Sequence, residues 1–251
     1  MKKVEGTDKK ILNLIRRINS DSPQKFYNDI DYFVKNSKKK FIVTANPEII
    51  MMGYKNKNMW NILSDNGTII IPDGIGVVKV MRIVYSDKSI QRNTGIEFVV
   101  HMLEKAQLND LSIFIYGAHQ NVLDRFRKMC DIKYPGINIT GLYNGYEYND
   151  DFVLQKLIKS KSDIYFIALG TPRQENFINK FYDKIDKGIC VGIGGSIDVL
   201  SGNTKRAPRF FINHNIEWLY RITKEPKRIM RFIRGNIFFV FKVLKELIEE
   251  R

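Results

Sequence analysis

From Lys40 onward, short apolar runs alternate with amphipathic stretches. Apolar, β-branched runs lie near 40–45, 68–72, 111–117, 137–143, 163–169 and 188–193. Between them, apolar positions recur at helical spacing near 47–65, 74–84, 94–108, 119–133, 150–161 and 172–184. Strands with little internal alternation, separated by helices, predict an α/β fold: a mostly parallel sheet with helices on both faces. Residues 1–39 read as helical and polar, with Ile11, Leu14, Ile15 and Ile18 on one face. After Gly202 the strand signal stops. The predicted division is a core over 1–202 with a helical N-terminus, followed by a C-terminal basic amphipathic helical appendage over 203–251.

Charge changes the picture most in that appendage. The 251 residues carry a formal charge of +14, and the basic residues crowd into 1–40 and again after Arg206. Such a field attracts nucleic acid, anionic lipid or a diphosphate substrate. Arg206, Arg209, Arg221, Arg228, Arg231 and Arg234 interleave with Phe210, Phe211, Trp218, Tyr220, Phe232, Phe238, Phe239 and Phe241. Two or three short amphipathic helices hinged near Pro208 and Pro226 are expected, facing lipid. The competing reading is a helical subdomain packed on the sheet with solvated arginines. The stretch Ile237-Phe238-Phe239-Val240-Phe241 is too apolar for an ordinary exposed helix and favours the membrane. No apolar stretch reaches the ~20 residues of a bilayer span. The opening Met1-Lys2-Lys3-Val4-Glu5 lacks a secretory segment, and Cys130 and Cys190 read as buried thiols, so the cytoplasm is the expected compartment.

Candidate chemistry sits at strand-to-helix junctions, where open α/β sheets bind ligands. Asn46 suits an N-cap with Pro47 at the first helical position, and Thr44 adds a hydroxyl to the end of an apolar strand. Asp73 follows Pro72 and precedes Gly74; it reads as a turn residue, a general base, a ribose anchor or, least well, a metal ligand. Thr94 and Glu97 have capping-box spacing, which leaves Arg92 for a phosphate or a distant carboxylate. Thr171, Pro172 and Gln174 make the same box, with Gln174 divided between cap and ligand contact. Gly192-Ile193-Gly194-Gly195 matches a dinucleotide fingerprint only loosely, because Ile197 occupies the place of the third glycine. His101, His119 and His214 are scattered and read as structural.

Together these segments resemble the WecG/TagA/CpsF glycosyltransferases. The resemblance is carried by Thr44-Ala-Asn-Pro-Glu48, Asp73-Gly-Ile-Gly-Val-Val78, Arg92-x-x-Gly95, Gly170-Thr-Pro-Arg-Gln-Glu175, Gly192-x-Gly-Gly-Ser-x-Asp198, Arg206-Ala-Pro208 and Glu217-Trp-Leu-Tyr-Arg221. It covers about residues 40–235 and leaves the first forty outside. It implies a Rossmann-like core and a metal-independent, inverting transferase without a cofactor. The implied reaction moves a sugar, foremost N-acetylmannosamine, from a UDP-sugar to undecaprenyl-diphosphate-linked N-acetylglucosamine in wall teichoic acid synthesis. The enzyme would sit peripherally on the inner face of the cell membrane.

By this resemblance Asp73 is the base, with Thr44, Asn46, Arg92 and Gln174 beside it. Gly117, Gly170, Gly192, Gly194, Gly195 and Asp198 fall on the nucleotide, and the appendage closes over the site. Arg206, Arg221, Arg228 and Arg231 are the candidates for the diphosphate and the lipid acceptor. Glu97 and Gly117-Ala118 depart from the family pattern, which leaves the donor sugar open. UDP-glucose in capsule or exopolysaccharide synthesis is the nearest alternative. A different nucleotide enzyme on the same fold, such as an oxidoreductase, lacks the third glycine and the ribose-binding acid. A nucleic-acid partner is disfavoured, since no motif for one is present. Both a homo-oligomer and a monomer with a docked tail fit the residues.

Overall fold

The structure is a computed structural model that describes residues 10–214, 217–224 and 228–250, except for the side chains at 213, 221, 222, 224 and 228–234. Two short helices open it: α1 (Ile11–Ile15) and α2 (Pro23–Lys35). Then follow β1 (Lys39–Ala45), α3 (Pro47–Lys55), α4 (Lys57–Ser64), β2 (Thr68–Pro72), α5 (Ile75–Val84) and α6 (Gly95–Leu108). The second half runs β3 (Ser112–Gly117), α7 (Gln120–Lys133), β4 (Asn138–Tyr143), α8 (Asp150–Ser160), β5 (Ile164–Ala168), α9 (Arg173–Tyr182), β6 (Gly188–Gly192) and α10 (Ser196–Leu200). The appendage holds α11 (Arg209–Asn213), α12 (Glu217–Lys224) and α13 (Arg228–Glu249).

The six strands form one parallel sheet in the order β2-β1-β6-β5-β3-β4. Successive strand side chains point to opposite faces, and here both faces are covered. Phe41, Val43, Tyr165, Ile167 and Cys190 pack into one apolar cluster, with residues of α1, α3, α4, α5, α8, α9 and α13. Ile42, Ile164, Phe166, Ile189 and Val191 pack into the other, with α2, α6, α7 and α10. This explains why the central strands read as unbroken apolar runs.

Three expectations need correction. The stretch 47–65 is two helices, because Asn56 ends the first and caps the second by accepting from the N–H groups of Asn58 and Met59. The described N-terminal residues are helical over α1 and α2, as read, but α1 is buried rather than polar. Ile11, Leu12, Leu14, Ile15 and Ile18 are all buried, and Ile18 bridges Ile70 so that the segment covers the β2 edge of the sheet. The appendage is not built of short helices alone, since α13 has 22 residues. The expected hinge at Pro226 lies outside the described residues.

Helix α13 packs against α1, α3 and α5. Phe239 and Val243 enter the core, each side chain contributing about 1.5–3 kcal/mol by burial. Glu246 is buried and accepts from the Leu12 N–H at 3.1 Å, and Arg16 pairs with Glu250 at 2.6 Å. The opposite face leaves Ile237, Phe238, Phe241, Leu244 and Ile248 exposed. Among the described residues, no helix is long and apolar enough to cross a membrane.

Candidate active site

The carboxyl ends of four contiguous strands, β2, β1, β6 and β5, open into one cavity of about 450 Å³. It is bordered by the starts of α3, α5, α6, α9 and α10 and, from the appendage, by Arg206, Glu217, Trp218 and Asn236. Helix starts carry unsatisfied N–H groups and a positive dipole end, so their convergence favours an anion.

On β1, Thr44 borders the cavity from the last turn of the strand. Asn46 caps α3 as expected: its Oδ1 accepts from the Ile49 N–H at 3.0 Å, and Pro47 takes the first helical position. Asn46 also borders the cavity. Asp73 is placed by the return of β2 onto β1, where the N–H groups of Asp73 and Gly74 both donate to the Ala45 carbonyl. The Asp73 Oδ1 then accepts from the Gly95 N–H at 3.3 Å, at the first position of α6. Thr94 and Glu97 close the predicted capping box, so the cap leaves this N–H to Asp73. Thr44, Asn46, Asp73 and Gln174 therefore meet in one cleft, with Gly170, Gly192, Gly194 and Gly195 on its wall.

The α9 junction differs from its prediction. Helix α9 begins at Arg173, Pro172 takes the cap position, and no side chain caps it. Thr171 donates instead to Glu175 Oε1 at 3.0 Å. Gln174 is 3% exposed, its amide nitrogen donating to the same oxygen at 2.8 Å and its Oε1 accepting from the Gly194 N–H at 3.1 Å. A Cβ on Gly192 would strike this amide, which is why a glycine ends β6. Burial pushes the Glu175 carboxyl above its ordinary range, against the pull of these hydrogen bonds.

Of the other predicted residues, Arg92, Gly117 and Asp198 lie apart from the cavity. Arg92 does not border it; the guanidinium reaches Glu217 on α12 at 3.5 Å, the carboxylate option among those foreseen. Gly117 (φ 125°) ends β3 against the Ala168 backbone, beyond the four strands that frame the cleft. Asp198 accepts from the Asn203 side-chain amide at 3.0 Å and also stands outside the lining. Arg206 borders the cavity and is exposed. The side chains of Arg221, Arg228 and Arg231 lie outside the described residues.

Sequence reasoning gave no site role to Glu175, Asn236 or Trp218. For Asn236 a signal existed: Gly235-Asn236 interrupts an apolar helical run, and Gly76 approaches the Asn236 side chain where α13 crosses the start of α5. Among the described residues, no group of three or more His, Cys, Asp or Glu side chains is arranged to hold a metal.

A parallel α/β sheet with helix starts and polar side chains around one cleft at its carboxyl edge is the architecture of an enzyme that binds phosphorylated ligands. The chain belongs to the Glycosyl transferase WecG/TagA/CpsF family, which matches residues 11–251. That match takes in most of the N-terminal segment, so the first forty residues are not foreign to the family as expected. Among similar proteins are N-acetylglucosaminyldiphosphoundecaprenol N-acetyl-beta-D-mannosaminyltransferases from two bacilli. The one from Bacillus spizizenii W23 is 39% identical over 202 residues, 80% of this chain and 77% of the relative. The one from Bacillus subtilis 168 is 36% identical over 205 residues, 82% and 79% respectively. A protein of the same name from Staphylococcus aureus MW2 is 31% identical over 205 residues, 82% of this chain and 80% of that one.

Proposed function

We propose that this chain is an inverting hexosyltransferase that moves N-acetylmannosamine from a UDP-linked donor to undecaprenyl-diphosphate-linked N-acetylglucosamine, a step in teichoic acid synthesis. The observation that carries the reading is the meeting of Thr44, Asn46, Asp73 and Gln174 at four adjacent strand ends, in a chain 39% identical to a transferase named for that reaction. The relatives' names do not favour the UDP-glucose alternative.

Asp73 takes the proton of the acceptor hydroxyl. The acceptor oxygen then bonds to the anomeric carbon as the bond to UDP breaks, and the electron pair leaves on the β-phosphate. Helix-start N–H groups and Arg206 stabilise the growing negative charge, and Arg221, Arg228 and Arg231 are assigned to the same diphosphate or to the lipid acceptor. Gly170, Gly192, Gly194 and Gly195 are assigned to the donor nucleotide; Gly117 and Asp198 join them on family resemblance alone. Thr44 and the Asn46 amide hold donor oxygens, and Arg92 acts through its link to Glu217.

The appendage over 203–251 closes the site and holds the enzyme on the inner membrane face. Supporting this, Arg206, Glu217, Trp218 and Asn236 line the cavity from that segment, while the outer face of α13 exposes Ile237, Phe238 and Phe241. Replacing Phe238 and Phe241 with serine is expected to abolish flotation with anionic vesicles and leave folding intact. Unchanged flotation would remove α13 as the anchor.

The decisive measurement is UDP release from a panel of UDP-sugars, with and without a short-chain lipid-diphosphate N-acetylglucosamine. Acceptor-dependent release from UDP-N-acetylmannosamine alone supports the whole proposal. Release from UDP-glucose retains the class and changes the donor. No release from any donor, with folded protein, refutes the proposal.

A further inference from the structure

Glu175 lies behind the cavity wall and is 2% exposed. Its Oε1 accepts from Gln174 and Thr171, while its Oε2 is buried without a hydrogen-bond partner. An ionised oxygen left unpaired in such a place is costly, so the neutral carboxyl is the form this environment accepts. The upward pKa shift by burial agrees.

Gln174 is held in one orientation by this arrangement. Its Oε1 faces the Gly194 N–H, and its nitrogen faces Glu175 Oε1. Flipping the amide would set donor against donor at Gly194 and acceptor against acceptor at Glu175. One amide hydrogen is committed to Glu175. Gln174 also borders the cavity.

We infer that Glu175 is a positioning residue that works as a neutral acceptor, locking Gln174 so that its second amide N–H meets an oxygen of the nucleotide-sugar donor. This rests on the proposed transferase activity. Glu175 itself touches no substrate. It acts by removing the choice of which amide atom the cavity meets, and so makes Gln174 a donor for the phosphate or sugar oxygens of the ligand.

The test is a double-mutant cycle read as kcat/KM for the UDP-sugar, with melting temperature alongside. Glu175→Ala is expected to lower kcat/KM about tenfold. In a Gln174→Ala background the same change should do nothing further, because the residue acts through Gln174. Glu175→Gln should restore kcat/KM to within about threefold, since its carbonyl supplies the same acceptor with no charge. Additive losses in the double variant would overturn the inference, as would a Glu175→Gln enzyme as poor as Glu175→Ala. If Glu175→Ala does not fold, Glu175→Gln still decides: retained turnover supports a neutral acceptor, and lost turnover refutes it. A wild-type protein that transfers from no UDP-sugar refutes the parent function and this inference together, whereas an active wild type with additive losses refutes the inference alone.

Discussion

Thr94 caps α6 and Thr171 stands just ahead of α9, both on the rim of one cleft, and the two are used in opposite ways. At α6, Thr94 and Glu97 satisfy each other's backbone donors, and the spare Gly95 N–H holds Asp73. At α9 the threonine and glutamine ignore the helix end. They turn to a buried carboxyl, and Gln174 reaches across to the loop after β6. One helix start thus serves the site through its backbone, the other through a side chain. A capping pair that closes on itself is a stability device, whereas one drawn into a buried network is committed to geometry.

Four substitutions sharpen that contrast, the largest effect first. Asp73→Asn keeps an acceptor for the Gly95 N–H but cannot take a proton. Transfer should fall by about 10²–10⁴ while the melting temperature holds, and an active Asp73→Asn enzyme would end the assignment of the base. Gln174→Ala should cost roughly 10–100-fold in kcat/KM together with about 1–3 kcal/mol of stability, since it strands the Gly194 N–H and leaves Glu175 with Thr171 alone. A loss of stability alone would return Gln174 to a purely structural role.

The third is a pH experiment. Burial raises the folded pKa of Glu175 above its ordinary value of 4.5, so folding favours the protonated form. The stability this group contributes is complete below pH 4.5 and is lost as pH rises toward the folded value. Glu175→Gln should therefore gain on the wild type in denaturation midpoint as pH increases from 4.5, and parallel curves would refute a neutral Glu175. Glu97→Ala is the smallest change: it removes half of the α6 box, lowers stability by about 0.5–1 kcal/mol and leaves kcat/KM within about twofold. A large loss of activity would mean that α6, like α9, spends its capping residues on the site.

Much of the architecture was legible beforehand. All six strands appear where apolar, β-branched runs lie, and the Asn46-Pro47 and Thr94-Glu97 starts are as read. The break at Asn56 was legible in principle, since asparagine caps helices, but the apolar periodicity runs straight through it. The N-terminal segment misled because its apolar face has no strand pattern of its own. Its burial depends on α13, whose Glu246 stands 234 positions from Leu12. Arg92 was left between phosphate and carboxylate because Glu217 is 125 positions away.

Strand burial and helix caps are decided within a few residues, by side-chain alternation and by the spacing of one oxygen to one N–H. The sequence therefore contained the sheet, its crossovers and the four ends that carry the cleft. Thr94 and Thr171 show where that reach stops, because the same spacing satisfies a cap in one place and not in the other. Which partner a buried amide or carboxyl takes depends on desolvation and on the donors brought near it by distant segments. Gln174 found Gly194, Glu175 lost its water, and Arg92 met Glu217 only once the chain had closed.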